Sequence, residues 1–175
     1  QLIVRHGTKA SVLLVRLDDF KAVNDTFGQK KGDLFLVAIS KGLGALCHRA
    51  QIFRYGGDEF GIIAQNVPLS EAARRVMERF KQPWSEQDIT THIGATVAAL
   101  ELPFKPEPKV DPFMLLDHAM RIAKNRGKQQ YVQCDSIILR HIKRNNLLKE
   151  RLLQCITNNS LSLNYQPIFN MKDRT

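Results

Sequence analysis

Residues 53 to 61 read Phe-Arg-Tyr-Gly-Gly-Asp-Glu-Phe-Gly. Gly56 and Gly57 lack side chains and let a ligand come close to the backbone. Asp58 and Glu59 offer hard carboxylate oxygens of the kind Mg²⁺ takes when it shares its shell with phosphates. Chemistry on a phosphate also needs cations against the charge of the transferred group, and Lys21, Lys124 and Lys128 are candidates. Taken alone, a glycine turn followed by acids reads more readily as a solvated hairpin tip.

The elements that must hold this turn follow from hydrophobic spacing. Residues 51–55 and 59–64 flank the glycines and predict a β-hairpin. Residues 10–17, Ala-Ser-Val-Leu-Leu-Val-Arg-Leu, predict a short buried strand. Residues 18–27 read as a short helix or irregular loop ending near Gly28. Apolar residues at 34, 35, 36, 39, 43 and 46 predict an amphipathic helix over 31–46. A helix over 70–81 is expected, with Ser70 as N-cap, Glu71 on the positive end of the dipole and Pro83 as the stop. Residues 89–100 predict a strand. The four prolines of 103–112 predict an exposed loop. A helix over 111–126 closed by Gly127 and a last strand over 129–132 complete the pattern. Helices and strands alternate, and the hairpin forces antiparallel pairing. The fold class expected is therefore α+β, a mixed and largely antiparallel central sheet flanked by helices.

Beyond Asp135 the pattern changes. Residues 136–156 predict a long basic amphipathic helix, with apolar positions at 138, 142, 148, 152 and 156. The run Ser-Leu-Ser-Leu-Asn-Tyr-Gln-Pro-Ile-Phe-Asn-Met then predicts a fresh strand. The expected organisation is one domain over 1–134, a linker helix over 135–157 and the first strand of another domain over 158–175.

The formal net charge is +9, and from Arg121 to Arg151 there are nine Lys or Arg against two acids, Asp135 and Glu150. A basic stretch suits nucleic acid, an anionic surface or a phosphorylated ligand. This one lacks the interleaved aromatics of a single-strand binder, so a solvated helix face with some phosphate-binding side chains is the expectation, with no nucleic-acid partner. No apolar run has the length of a membrane span. No signal peptide opens the chain, whose first residues resemble the tail of a truncated helix. Cys47, Cys134 and Cys155 are odd in number and far apart, which predicts reduced thiols and a cytoplasmic location.

Three segments occur in order: DDFKAVNDTFGQKKGD, RYGGDEF and AMRIAKNRGKQQ. Together they resemble the GGDEF family, the diguanylate cyclases and their relatives, over about residues 1 to 134. The later LKERLLQCITNNSLSLNYQPIF is similar to the opening of an EAL domain, the family that hydrolyses cyclic di-GMP. The resemblance implies a nucleotidyl-cyclase-like, ferredoxin-like fold and one GTP per domain. It also implies a homodimer in which each 3′-hydroxyl attacks the other α-phosphate, and Mg²⁺ or Mn²⁺ when the enzyme is active. By the same resemblance Asn24 and Asp33 recognise guanine, although by type alone they read as a turn cap and a helix N-cap. Lys124 and Lys128 match phosphate-contacting cations, the second usually Arg. Asp58 matches the metal-binding acid and Glu59 the acid given a catalytic role. Gln166 matches a ligand-contacting position of the EAL family. Cys47 and Ala50 stand where many cyclases carry the Arg and Asp of a product-inhibition site, so that site is expected to be absent.

One departure dominates. The family's strand end reads Asp-x-Asp-x-Phe-Lys, and its first Asp coordinates the metal. Here the segment is Arg16-Leu17-Asp18-Asp19-Phe20-Lys21, so Arg16 stands at the metal-ligand position. Asp19 lies one residue out of phase and points away, and Asp18 lies further along on the same face as Arg16. A unit charge pair about 4 Å apart is worth about 4 kcal/mol at an effective dielectric near 20, so an arginine opposes a divalent ion by about 8 kcal/mol; a quarter of that costs more than about tenfold in metal affinity. The favoured expectation is that Arg16 pairs with Asp58 in the metal's place; the alternative turns it to solvent and leaves weak metal binding through Asp58. Three functions stay open: a degenerate GTP-binding module regulating its own EAL domain, an active cyclase making cyclic di-GMP from two GTP, and a dimerisation module that binds no nucleotide.

Overall fold

A computed structural model of the chain describes residues 9–47, 50–103, 111–162 and 164–166. The chain falls into two compact units, 1–139 and 140–175. The first unit is built on a five-stranded sheet. Its strands are β1 (Ala10–Leu17), β2 (Gln51–Arg54), β3 (Glu59–Gln65), β6 (Ala95–Leu102) and β7 (Tyr131–Gln133), in the order β2-β3-β1-β6-β7. β1 is antiparallel to both β3 and β6, β2 is antiparallel to β3, and only β6 and β7 are parallel. The mixed, largely antiparallel sheet matches the α+β expectation.

β1 is central because nearly all of it is buried on both faces, down to Val15 and Leu13. Its two faces serve different helices. Leu13, Val15 and Leu17 join a core with α2 (Gln29–Leu46) and α3 (Leu69–Phe80), where Phe35, Ile39, Leu43, Ala72 and Val76 are buried. Full burial of Ile39, Leu43 or Val76 contributes about 1.5–3 kcal/mol for each side chain. The opposite face, with Val12, Leu14 and Ala98, is covered by α4 (Pro112–Asn125), which packs on β6, β7 and β1 and buries Leu115, Leu116, Ala119, Met120 and Ala123. Arg16 and Glu59 lie on this α4 side, because side chains alternate along a strand.

Residues 18–27 resolve into a helix, α1 (Phe20–Phe27), that joins α2 through Gly28 at φ 84°, a left-handed angle glycine adopts without strain. Several local expectations need correction. Ser70 does not cap α3: the helix starts at Leu69 after Pro68, whose φ of −58° already suits a helix, and no side chain caps it. The run 89–100 is not one strand. Ile89–Thr91 forms β5, which pairs with β4 (Trp84–Glu86) in a separate two-stranded sheet, and β6 begins only at Ala95. α4 behaves as expected, with Asp111 Oδ1 accepting from Phe113 N–H at 2.9 Å and Gly127 beyond its end at φ 120°. Most of the proline-rich loop lies outside the described residues.

α5 (Ser136–Thr157) begins after Asp135, whose Oδ1 accepts from the N–H groups of Ile137 and Ile138. Its first turn belongs to the first unit and the remainder to the second. The strand expected after it does not form at 160–162 or 164–166, and the rest of that run lies outside the described residues. Among the described residues no helix is long and apolar enough to cross a membrane.

Candidate functional site

The β2–β3 connection, α1 and α2 enclose an open cleft of 310 Å³ lined by Phe20, Lys21, Asn24, Gln29, Asp33, Leu36, Arg54, Gly57 and Asp58. That is within the range of small-molecule sites. Helical spacing explains the lining. Phe20 and Asn24, like Gln29 and Asp33, stand four residues apart and share a face of their helix. The cleft thus brings together Lys21, Asn24, Asp33, Gly57 and Asp58, five residues singled out in the sequence from two separate segments. It adds Phe20, Gln29, Leu36 and Arg54, which sequence reasoning passed over.

Arg54 braces the turn. Its Nε donates to the carbonyls of Gly56 and Gly57 at 3.1 Å each, and Nη2 donates to Gly57 O at 2.6 Å. An arginine just before a glycine turn was the available signal. The turn itself continues the sheet: Tyr55 N–H donates to Glu59 O, and Leu17 N–H donates to Asp58 O at 3.0 Å. The two glycines are there for different reasons. Neither has the left-handed φ that a two-residue hairpin turn would impose. A Cβ on Gly56 would lie 3.1 Å from Glu59 Oε2, whereas a Cβ on Gly57 would meet nothing within 4 Å. The fold does not require glycine at 57, and the space its missing side chain leaves opens on the cleft. Gly32 was also missed: a Cβ there would collide with the Asn24 carboxamide, so this glycine sets the close approach of α1 to α2.

Arg16 does not pair with Asp58. Its Nη2 forms an ion pair with Glu59 Oε1. The reason is register: Arg16 is the direct partner of Glu59 across β1 and β3, on the same sheet face, whereas Asp58 belongs to the turn before the strand. The side chains are 23% and 14% exposed, so solvent screens the pair only partly. Arg16 Nε is buried without a partner, a cost of about 1–3 kcal/mol that the pairing with Glu59 offsets.

A Mg²⁺ site needs near-octahedral oxygen donors and tolerates no cation in its first shell. Here one of the two acids of the turn is held by a guanidinium. Among the described residues no three His, Cys, Asp or Glu converge. These residues do not fit a divalent ion between β1 and the turn.

The remaining candidates are placed elsewhere. Asp18 lies past the end of β1 and works as a tie: its Oδ1 accepts from Thr96 Oγ1 and its Oδ2 from Gln129 N–H, both at 2.8 Å. Asp19 precedes α1 in a left-handed conformation, and its carboxylate pairs with Lys128 Nζ, which raises the lysine's pKa. Lys128 is thus drawn to a carboxylate, and neither it nor Lys124, exposed on the last turn of α4, lines the cleft. Gly56 and Glu59 also fall outside the lining. Cys47 is buried, and that burial pushes its thiol pKa up; Ala50 is half-buried before β2. Gln166 is exposed in irregular chain.

The family model for the diguanylate cyclase GGDEF domain matches residues 1–130. This chain belongs to the GGDEF family. It is 30% identical over 172 residues to MucR of Pseudomonas aeruginosa, described as a bifunctional diguanylate cyclase and cyclic di-GMP phosphodiesterase, covering 95% of this chain and 25% of that protein. It is also 30% identical over 168 residues to the cyclic di-GMP phosphodiesterase PdeR of Escherichia coli, covering 92% and 25%. A solved EAL/GGDEF domain protein from M. capsulatus shares the fold at a TM-score of 0.65 and 25% identity, over 75% of this chain and 88% of that one. The chain spans about a quarter of the length of the curated relatives it matches.

Proposed function

We propose that this chain is a cyclic di-GMP signalling domain that binds GTP but does not turn it over, and that it acts as a regulatory module for an EAL phosphodiesterase domain. The observation that carries the reading is the Arg16–Glu59 ion pair beside a cleft that keeps its recognition groups. Asn24 and Asp33 take the guanine edge, since an amide both gives and accepts and a carboxylate accepts from two N–H groups. Lys21, Arg54 and the Gly57 backbone face the phosphates, with Lys124 and Lys128 reaching them only if Lys128 leaves Asp19. Glu59, the acid with a catalytic role in the family, serves here as the counter-ion of Arg16. Asp58 alone remains as a metal donor at the turn.

The relatives support the signalling context. One is described as bifunctional and another as a phosphodiesterase, and both match this chain over nearly its whole length. Regulation requires that GTP bind two arrangements of the domains with different affinity, with residues 136–157 as the link. Calorimetry with GTP, together with a turnover assay for cyclic di-GMP, tests the reading. Binding without synthesis is expected. Rapid synthesis would make the chain an active cyclase, and no binding at millimolar GTP would make it an interaction module.

A further inference from the structure

We infer that the cleft takes its guanine nucleotide without a divalent cation, with Lys21 and Arg54 as the cations that face the triphosphate. This rests on the nucleotide-binding reading above and adds the metal dependence of that same site. The argument begins with charge. A bound Mg²⁺ cancels two negative charges of GTP and draws carboxylates around itself. The turn supplies the opposite arrangement. Its second acid, Glu59, is neutralised by Arg16, its direct partner across the strands. Its first acid, Asp58, is the one carboxylate the cleft holds at the turn, with Asp33 on α2 across from it. Two cations, Lys21 and Arg54, line the same cleft, and Arg54 is fixed in place by the carbonyls of Gly56 and Gly57. A fixed guanidinium recognises phosphate oxygens without ordering a hydration shell.

A metal held by both acids of the turn would have to force Arg16 off Glu59 and out of a mostly buried position. Nucleotide that arrives without its ion needs no such displacement; it presents more negative charge to Lys21 and Arg54, and also to Asp58 at the turn. The site therefore discriminates between metal-free and metal-bound forms of one nucleotide, in the sense opposite to a phosphoryl-transfer centre.

The test is calorimetric titration of the chain with sodium GTP in EDTA and again in excess Mg²⁺. The expected result is a Kd in EDTA lower than that in Mg²⁺. A Kd equal in the two buffers, or lower in Mg²⁺, would overturn the inference while leaving nucleotide binding intact. No heat in either buffer would overturn the nucleotide-binding reading, and this inference with it. A second measurement needs no nucleotide: the Mn²⁺ paramagnetic resonance signal should be undiminished by the parent chain and diminished by Arg16→Asp. The same substitution should make GTP binding tighten with Mg²⁺ by about tenfold or more. Arg16→Gln, which removes the charge without adding an acid opposite Glu59, guards against misfolding and should relieve the preference for metal-free GTP. Mn²⁺ held by the parent, or a folded Arg16→Asp chain indifferent to Mg²⁺, would contradict the role given to Arg16.

Discussion

The cleft between α1 and α2 and the corner where β1 meets β3 lie one turn of chain apart, yet they are built on opposite principles. The cleft is assembled by helices. Its polar groups, Asn24 and Asp33, face open space, and Gly32 and Gly57 clear room around them. The corner is assembled by strand register, which sets Arg16 against Glu59 so that each satisfies the other. Groups left facing open space are available for a ligand; groups that neutralise one another are not. On the proposed reading, recognition and chemistry are carried by separate elements, and a substitution at the end of one strand would silence the second without touching the first.

The comparison is most easily broken from the cleft side. Asp33→Ala removes a charged acceptor and should weaken GTP binding by about 2 kcal/mol, roughly 30-fold, with the unfolding midpoint unchanged; calorimetry and a denaturant titration read the two quantities. An unchanged affinity would show that Asp33 faces nothing but solvent. At the corner the effects should invert. Glu59→Gln leaves Arg16 without its counter-charge in a mostly buried place and should lower unfolding stability by about 1–2 kcal/mol, with little change in GTP affinity. The size sits below that of a fully buried pair because both side chains retain some solvent contact.

Gly32→Ala sharpens the account of how the helices hold the cleft open. The new methyl collides with the Asn24 carboxamide and should displace it, costing about 1 kcal/mol in GTP binding. The smallest effect lies away from both regions. Glu71 on α3 has its carboxyl pKa lowered to about 2, first through a hydrogen bond from Arg74 and then one from Arg75. A carboxyl depressed on folding adds stability above its unfolded value, and that stability fades as pH falls from about 4.5 towards 2. Glu71→Gln should therefore flatten slightly the acid limb of a stability–pH curve. It should leave GTP binding alone.

The sequence made some of this legible and hid the rest for physical reasons. β1 and α2 announce themselves because burial repeats at the period of the element, as with Leu13, Val15 and Leu17 or Phe35, Ile39 and Leu43. The residues of the cleft were legible because two motifs carry them, although only the fold shows that α1 and α2 bring Asn24 and Asp33 to face the glycine turn. Arg16 was legible as a misplaced charge, but its partner was not. Whether it meets Asp58 or Glu59 depends on a register of one residue between β1 and β3, and a one-residue step turns a side chain to the other face. Arg54 escaped notice because its hydrogen bonds run to backbone carbonyls, which no residue type advertises. The break at Ile93 and Gly94 was hidden too, since the β5 and β6 segments read as one apolar alternation until β4 is seen to pair with β5.

The most direct test of the ion pair's role is a cyclase assay on this chain with saturating GTP and Mg²⁺, run beside a GTP-binding titration of the same sample. The account predicts saturable binding and no cyclic di-GMP. Sustained synthesis of the dinucleotide would contradict it, and with it the role proposed for the Arg16–Glu59 pair.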